Sequence, residues 1–342
     1  MGKKIEVKGY AERRNNMKKT VSLLLAGLMI TVFLVYTGTD AMAAEKKYPS
    51  KQINWYIHSS AGGGTDIMSR MASIRLRRIL KVPFVISTMS GGSGARMLNY
   101  MLTRPADGYT ILSITNSNLA TIARGMTKAK LSDLSGIARG TYDPQSFCVA
   151  SKGRFKTIQE VVKFGKANPK KLKFGVAHMA GVDQVTVYEF SKAAGFEPEY
   201  VPFKSGGEII VAMLGGTIDL GVLNPSEFIG QYEAGTVKPV VFLIPNRLKD
   251  FPDVPTAKEL KWDVEQATWR GFSVRSGTPK PILETLRKAF MKSMKHKVYQ
   301  DYLRNNSMGP ESIMTGEDWE AFLKKQYPIW KKAMEDLGFV KK

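Results

Sequence analysis

The sequence predicts an α/β protein folded into two lobes around a ligand cleft. Three observations predict it. Short β-rich runs alternate with helical patterns along residues 52–244, the grammar of sheets covered by helices. That grammar occurs twice, over 52–114 and again over 157–244. After the proline-rich stretch FPDVPT at 251–256, one further strand is followed only by helices, as when a chain builds half of one lobe, builds a second, and returns to complete the first. Two crossings between lobes make a hinge with a cleft.

The first lobe opens with a strand over 52–57, the glycine turn AGGGTD at 61–66, and a helix over 66–80 whose Met68, Ala72, Leu76 and Ile79 recur at helical spacing. A strand at 84–86, the turn SGGSG at 90–94 and a helix over 95–102 follow, and PADG at 105–108 turns the chain into a third strand over 109–114. This half reads βαβαβ with a parallel sheet. In the second lobe Thr157 is suited to cap a helix that Asn168-Pro169 stops after Ala167. Strands over 173–176, 199–201, 219–222 and 240–244 alternate with helices over 182–194, 207–214 and 225–234. A strand over 271–274 then precedes helices over 279–296, 298–305 and 317–337. In the last of these, Trp319, Phe322, Leu323, Trp330, Met334 and Leu337 share one face and are assigned to the core. The expected lobe limits are 44–145 plus 249–342 for the first and 146–248 for the second.

Before the first strand, Lys3, Lys4, Lys8, Arg13, Arg14, Lys18 and Lys19 precede an uncharged apolar run over 21–36, and Ala41 and Ala43 flank Met42. Basic region, apolar region and small-residue cleavage site read as a secretory leader over 1–43, cut near Ala43, so the mature chain is expected to be exported. The 342 residues carry a net charge of +21. Without the leader's seven basic and three acidic residues the charge is still +17. Its lysine runs, Lys170-Lys171-Lys173, Lys324-Lys325 and Lys331-Lys332, have no aromatic interleaving and match no nucleic-acid motif, so a diffuse pull on anions is expected and nucleic acid is not. The lone Cys148 cannot form an internal disulfide, and His58, His178 and His296 lack metal-ligand spacing, so neither metal nor other cofactor is expected.

Glycines at 62–64 let the backbone approach a ligand, and the following helix presents free N–H groups, a combination suited to a carboxylate or phosphate. No Gly-Lys-Ser/Thr follows, so the loop is not a nucleotide P-loop. Asp66 is expected to cap the helix or tie down the loop, because aimed inward it would repel an anion. His58 and His178 sit at strand ends near the expected cleft, His178 being the better candidate contact. No nucleophile, base and orienter can be grouped from spacing, so a binding protein is favoured over an exported α/β enzyme. A ligand-sensing receptor is the other alternative.

The ordered set of Tyr48-Pro49-Ser50-Lys51, AGGGTD at 61–66, PADGYT at 105–110, Pro202-Phe203-Lys204 with Gly206, GGTID at 215–219, PDVPT at 252–256, Trp269 with Gly271, and Gly277-Thr278-Pro279 resembles the periplasmic solute-binding receptors of tripartite tricarboxylate transporters, the Bug or TctC-type family. The resemblance spans 48–337. It implies a two-lobed, type II Venus-flytrap fold that closes as a monomer on a small organic carboxylate and delivers it to integral membrane subunits. Carried onto this chain, it implies contacts from Ser59, Ser60, Ala61, Gly62, Gly63, Gly64, Thr65 and Asp66, and from Thr115, Asn116 and Ser117 in the first lobe. Ala180, Gly181, Asp183, Gln184, Phe203, Lys204 and Asn224 are implied in the second. The chain departs from the pattern where Ser59 replaces a usual aromatic, Ala180-Gly181-Val182 a Gly-Thr-Ser run, and Ser87-Thr88-Met89-Ser90 an Asn-Arg-Pro turn. Leu223 stands where an aspartate is usual, which disfavours a ligand amino group.

Overall fold

The computed structural model describes Met17 and residues 48–340. Residues 51–340 belong to one compact unit. The expected leader and its cleavage point lie outside the described residues, apart from Met17, which is helical and exposed.

Within the large unit two five-stranded sheets are covered by helices. The first contains β1 (Ile53–Ile57), β2 (Phe84–Thr88), β3 (Thr110–Thr115), β4 (Leu134–Pro144) and β10 (Ala267–Arg275), in the order β2-β1-β3-β10-β4. Its helices are α1 (Gly64–Leu80), α2 (Ala95–Leu102), α3 (Asn116–Ala123), α8 (Lys280–Met294), α9 (Lys297–Arg304) and α10 (Gly316–Asp336). The second contains β5 (Ser146–Ala150), β6 (Leu172–Ala177), β7 (Pro198–Phe203), β8 (Leu220–Leu223) and β9 (Val237–Phe242), in the order β7-β6-β8-β5-β9, with α4 (Ile158–Ala167), α5 (Val182–Ala194), α6 (Gly206–Leu214) and α7 (Pro225–Glu233).

Each sheet is mixed rather than parallel throughout. β1 lies parallel to β2 and β3, but β10 runs antiparallel to both β3 and β4. In the second sheet β5 runs antiparallel to β8 and β9. The strand that returns to the first sheet therefore enters against the direction of the βαβ half and places Arg270 opposite Thr115 on β3 and Thr141 on β4.

On one face of the first sheet Trp55 packs edge-on against Phe272, with ring centroids 5.1 Å apart, and its indole N–H donates to Ser113 Oγ at 2.9 Å. That bond lets the ring be fully buried without an orphaned donor. The other face carries Leu112, Ile114, Trp269 and, from α10, Trp319, Leu323, Trp330 and Met334; Ala180, Val182 and Val185 from the α5 region join this same cluster. The second sheet is filled by Phe147, Phe174 and Phe190 on one side and by Ile209, Phe228 and Phe242 on the other.

Residues 249–264 correct one expected limit. Phe251 joins the Phe228 and Phe242 cluster, Ala257 joins the Phe147 cluster, and Phe242 N–H donates to Pro255 O at 3.0 Å. The return crossing consequently falls at Gln266, not at 249, because the intervening segment buries its apolar side chains on the second sheet. There the backbones of Gln145, Leu243 and Gln266 are joined by three hydrogen bonds of 2.7–3.1 Å. Among the described residues no helix is long and apolar enough to cross a membrane.

Candidate functional site

In an open α/β sheet the C-terminal ends of parallel strands are followed by helix N-termini, and ligands bind there. Here five such turns converge: β1 to α1, β3 to α3, β6 to α5, β7 to α6 and β8 to α7. Each helix start leaves N–H groups without intrahelical partners and a partial positive charge. Between them lies a cavity of about 40 Å³, lined from the first sheet by His58, Ser59, Gly63, Gly64, Thr65, Thr115, Ser117, Thr268 and Arg270, and from the second by Ala177, His178, Val182, Asp183, Ser205, Gly206, Asn224 and Glu227.

The floor is a buried ion network. Arg270, 3% exposed, donates to Asp143 Oδ2 at 2.7 Å and to Asn224 Oδ1 at 3.0 Å, and Glu227 Oε1 lies 3.9 Å from its Nη2. Ser226 Oγ also donates to Asp143. Burial raises the Asp143 carboxyl to about 6, against the opposing pull of Arg270. Burial alone would lower Arg270, but Asp143 and Glu227 hold its charge and raise its pKa. Gly64 covers this guanidinium so closely that a Cβ there would stand 2.4 Å from Arg270 Nη2, which explains a glycine at the first residue of α1.

Asp183 accepts from Gln145 Nε2 at 2.8 Å and from Ala177 N–H at 2.7 Å. Burial, reinforced by Glu227, raises its carboxyl to about 8. His58 and His178 meet across the cavity with ring centroids 4.7 Å apart. Burial lowers both pKa values, for His58 well below the usual imidazole range with His178 and Arg270 adding to the effect, so both rings are neutral at pH 7. His58 Nδ1, Ser59 Oγ, His178 Nε2 and Arg270 Nε have no hydrogen-bond partner in the protein. All four belong to side chains that line the cavity, and buried polar atoms of this kind call for a ligand or water.

The expected residues Ser59, Gly63, Gly64, Thr65, Thr115, Ser117, His178, Asp183 and Asn224 are brought together at the cavity. The others are placed around it. Asp66 accepts from Gly62 N–H at 3.1 Å and from Arg70 Nε at 2.8 Å, tying down the glycine loop. Ala61 and Gly62 are exposed. Asn116 pins the returning strand, donating to Ala267 O and accepting from Trp269 N–H. Gln184 accepts from Ala180 N–H at 2.6 Å, which shapes the turn through Gly181 into α5. Phe203 packs in the second-sheet core, and the exposed Lys204 accepts from Ser60 N–H through its backbone carbonyl. The side chains of Asp66, Asn116 and Gln184 are used in framing the cavity, which leaves them outside its lining.

Arg270, Glu227, Asp143 and Ser205 escape the sequence reading, and Leu223 is a core residue, 1% exposed. The acidic side chains at the site come instead from Asp143, Asp183 and Glu227. Among the described residues no group of three or more His, Cys, Asp and Glu could hold a metal ion.

Residues 68–339 match the family model described as the tripartite tricarboxylate transporter family receptor. A UPF0065 protein in the gbd 5' region of Cupriavidus necator is 27% identical over 91% of this chain and 95% of its own length. A solved periplasmic transporter superposes with a TM-score of 0.80 at 25% identity, covering 86% of this chain and 99% of that one. The structure of MatC from Rhodopseudomonas palustris with bound malate has a TM-score of 0.78 at 20% identity, covering 84% and 99% of the two chains. The architecture described above is thus the two-lobed fold of periplasmic binding proteins.

Proposed function

This chain belongs to the family of tripartite tricarboxylate transporter receptors, and we propose from that premise that it captures a small organic carboxylate between its two lobes and delivers it to the membrane subunits of such a transporter. The observation that carries the reading is the cavity itself. Helix N-termini from both sheets meet there around four unpartnered buried polar atoms, an arrangement that satisfies anionic oxygens only when the lobes are together. Binding energy gained from both sides at once drives closure, and closure excludes water from the bonds.

Receptors of this family work in the periplasm. The basic and apolar N-terminal pattern supports export of this chain, with cleavage near Ala43. We take the functional unit to be a monomer, because the cavity is built from one chain.

The test is a thermal-shift and calorimetric screen of the chain from Ala44 onward against mono-, di- and tricarboxylates and aromatic acids. One ligand bound per chain and recovered unchanged is the expected result. Turnover of a carboxylate, or no stabilisation by any of them, would overturn the reading.

A further inference from the structure

Resting on that carboxylate-receptor reading, we propose that the site selects a monocarboxylate, and that Glu227 sets this choice by filling from the second lobe the place a second carboxylate would take.

Glu227 lies across the junction of the lobes. Its Oε1 accepts from the N–H of Gly64, the first residue of α1, at 2.9 Å, while Oε2 accepts from Asn224 N–H at 3.1 Å. A Cβ on Gly206 would stand 2.6 Å from the Glu227 carboxyl carbon, so the carboxylate is clasped between the starts of α1 and α6. A helix N-terminus with a close-approaching glycine is where a ligand carboxylate binds, and in this chain a side-chain carboxylate already holds it.

Charge leads to the same answer. Among the described residues Arg270 is the one cation lining the cavity, and Asp143 at 2.7 Å already matches it. A second ligand carboxylate would therefore enter beside Glu227 with no unmatched cation to receive it, and like charges so placed at a desolvated contact oppose binding strongly. One carboxylate still finds partners, since Ser59 Oγ, His58 Nδ1 and Arg270 Nε are buried, unpartnered and part of side chains lining the cavity.

Calorimetry of the wild-type protein with pyruvate, propionate, succinate and adipate tests the proposal, together with Glu227→Gln, whose amide oxygen can still accept one of the two N–H groups without the charge. Pyruvate or propionate should bind the wild type at least about tenfold more tightly than either diacid, and the substitution should narrow that ratio by about tenfold or more. Glu227→Ser repeats the measurement should the amide variant unfold. Succinate or adipate binding the wild type as tightly as the monoacids, or a ratio unchanged in both variants, overturns the monocarboxylate assignment and leaves the receptor reading standing. Failure of every carboxylate to bind overturns both.

Discussion

Arg270 shows how one residue can organise the site and stay hidden in the sequence. Its partners Asp143 and Asn224 are 127 and 46 positions away, and an arginine between Trp269 and Gly271 carries no local sign that it will be buried. Glu227 is hidden for a different reason: Asn224 and Glu227 form a capping box at the start of α7, so the spacing reads as ordinary helix capping. The glycine loop was legible because a glycine run between strand and helix has a local cause, whereas Ser59, Thr115 and Ser117 came from the family resemblance alone. Removing Arg270 tests the network. Arg270→Gln leaves Asp143 buried without its cation, which should cost about 3–5 kcal/mol of stability at neutral pH. The pH dependence has a definite sign. Asp143 titrates at about 6 in the folded protein, above its ordinary 3.8, so its protonated form favours folding and stability is lost as pH rises through that window. Without Arg270 the window extends to higher pH, so denaturant titrations should show the variant recovering stability relative to wild type between pH 7 and pH 5. A deficit that stayed constant with pH would contradict the assignment.

At the scale of elements, legibility followed periodicity. Helix α4 announces itself by Thr157, whose side chain accepts from Glu160 N–H, and by the stop at Asn168. Strand β4 does not, because LSGIARGTYDP is buried at nearly every position, with Arg139, Thr141 and Asp143 among the inward side chains, and a strand covered on both faces has no alternation to read. Helix α3 was missed for the same reason: all eight of its residues are buried, which removes the amphipathic signal. The C-terminus of α1 gives an element-scale test. Lys81 ends the helix in the left-handed conformation at φ 56°, ψ 29°, donating its N–H to Arg77 O. A side chain in that region is disfavoured by Cβ contacts that glycine lacks. Lys81→Gly should therefore raise stability by about 0.5–1 kcal/mol, net of the greater freedom glycine has when unfolded. Thermal unfolding checks it, and a lowered midpoint would show that the lysine side chain contributes more than its backbone costs.

For the whole molecule the question is what the ligand must add to bring the lobes together. The two crossing backbones, at Gln145 and Gln266, are tied to each other and to Leu243 by hydrogen bonds, and a narrow junction of this kind can bend without breaking either sheet. Away from it, the contacts between the lobes include the Arg270 network, Gly64 with Glu227, Ser93 with Met179 O, Val182 N–H with Ser117 Oγ, and the burial of Val185 in a cluster containing Trp269 and Trp330. Val185 is 3% exposed yet absent from the ligand cavity lining, so a change there acts on closure without touching the ligand. In Val185→Lys the ammonium would be forced into apolar surroundings when the lobes meet and would reach water when they part. A desolvation cost of several kcal/mol on the closed state alone shifts the balance toward the open one and should weaken carboxylate binding by about a hundredfold or more. Small-angle scattering should then report a larger radius of gyration that ligand no longer reduces, while circular dichroism shows both sheets intact. Wild-type affinity in this variant would mean that the ligand is held by one lobe, and that closure contributes nothing to capture.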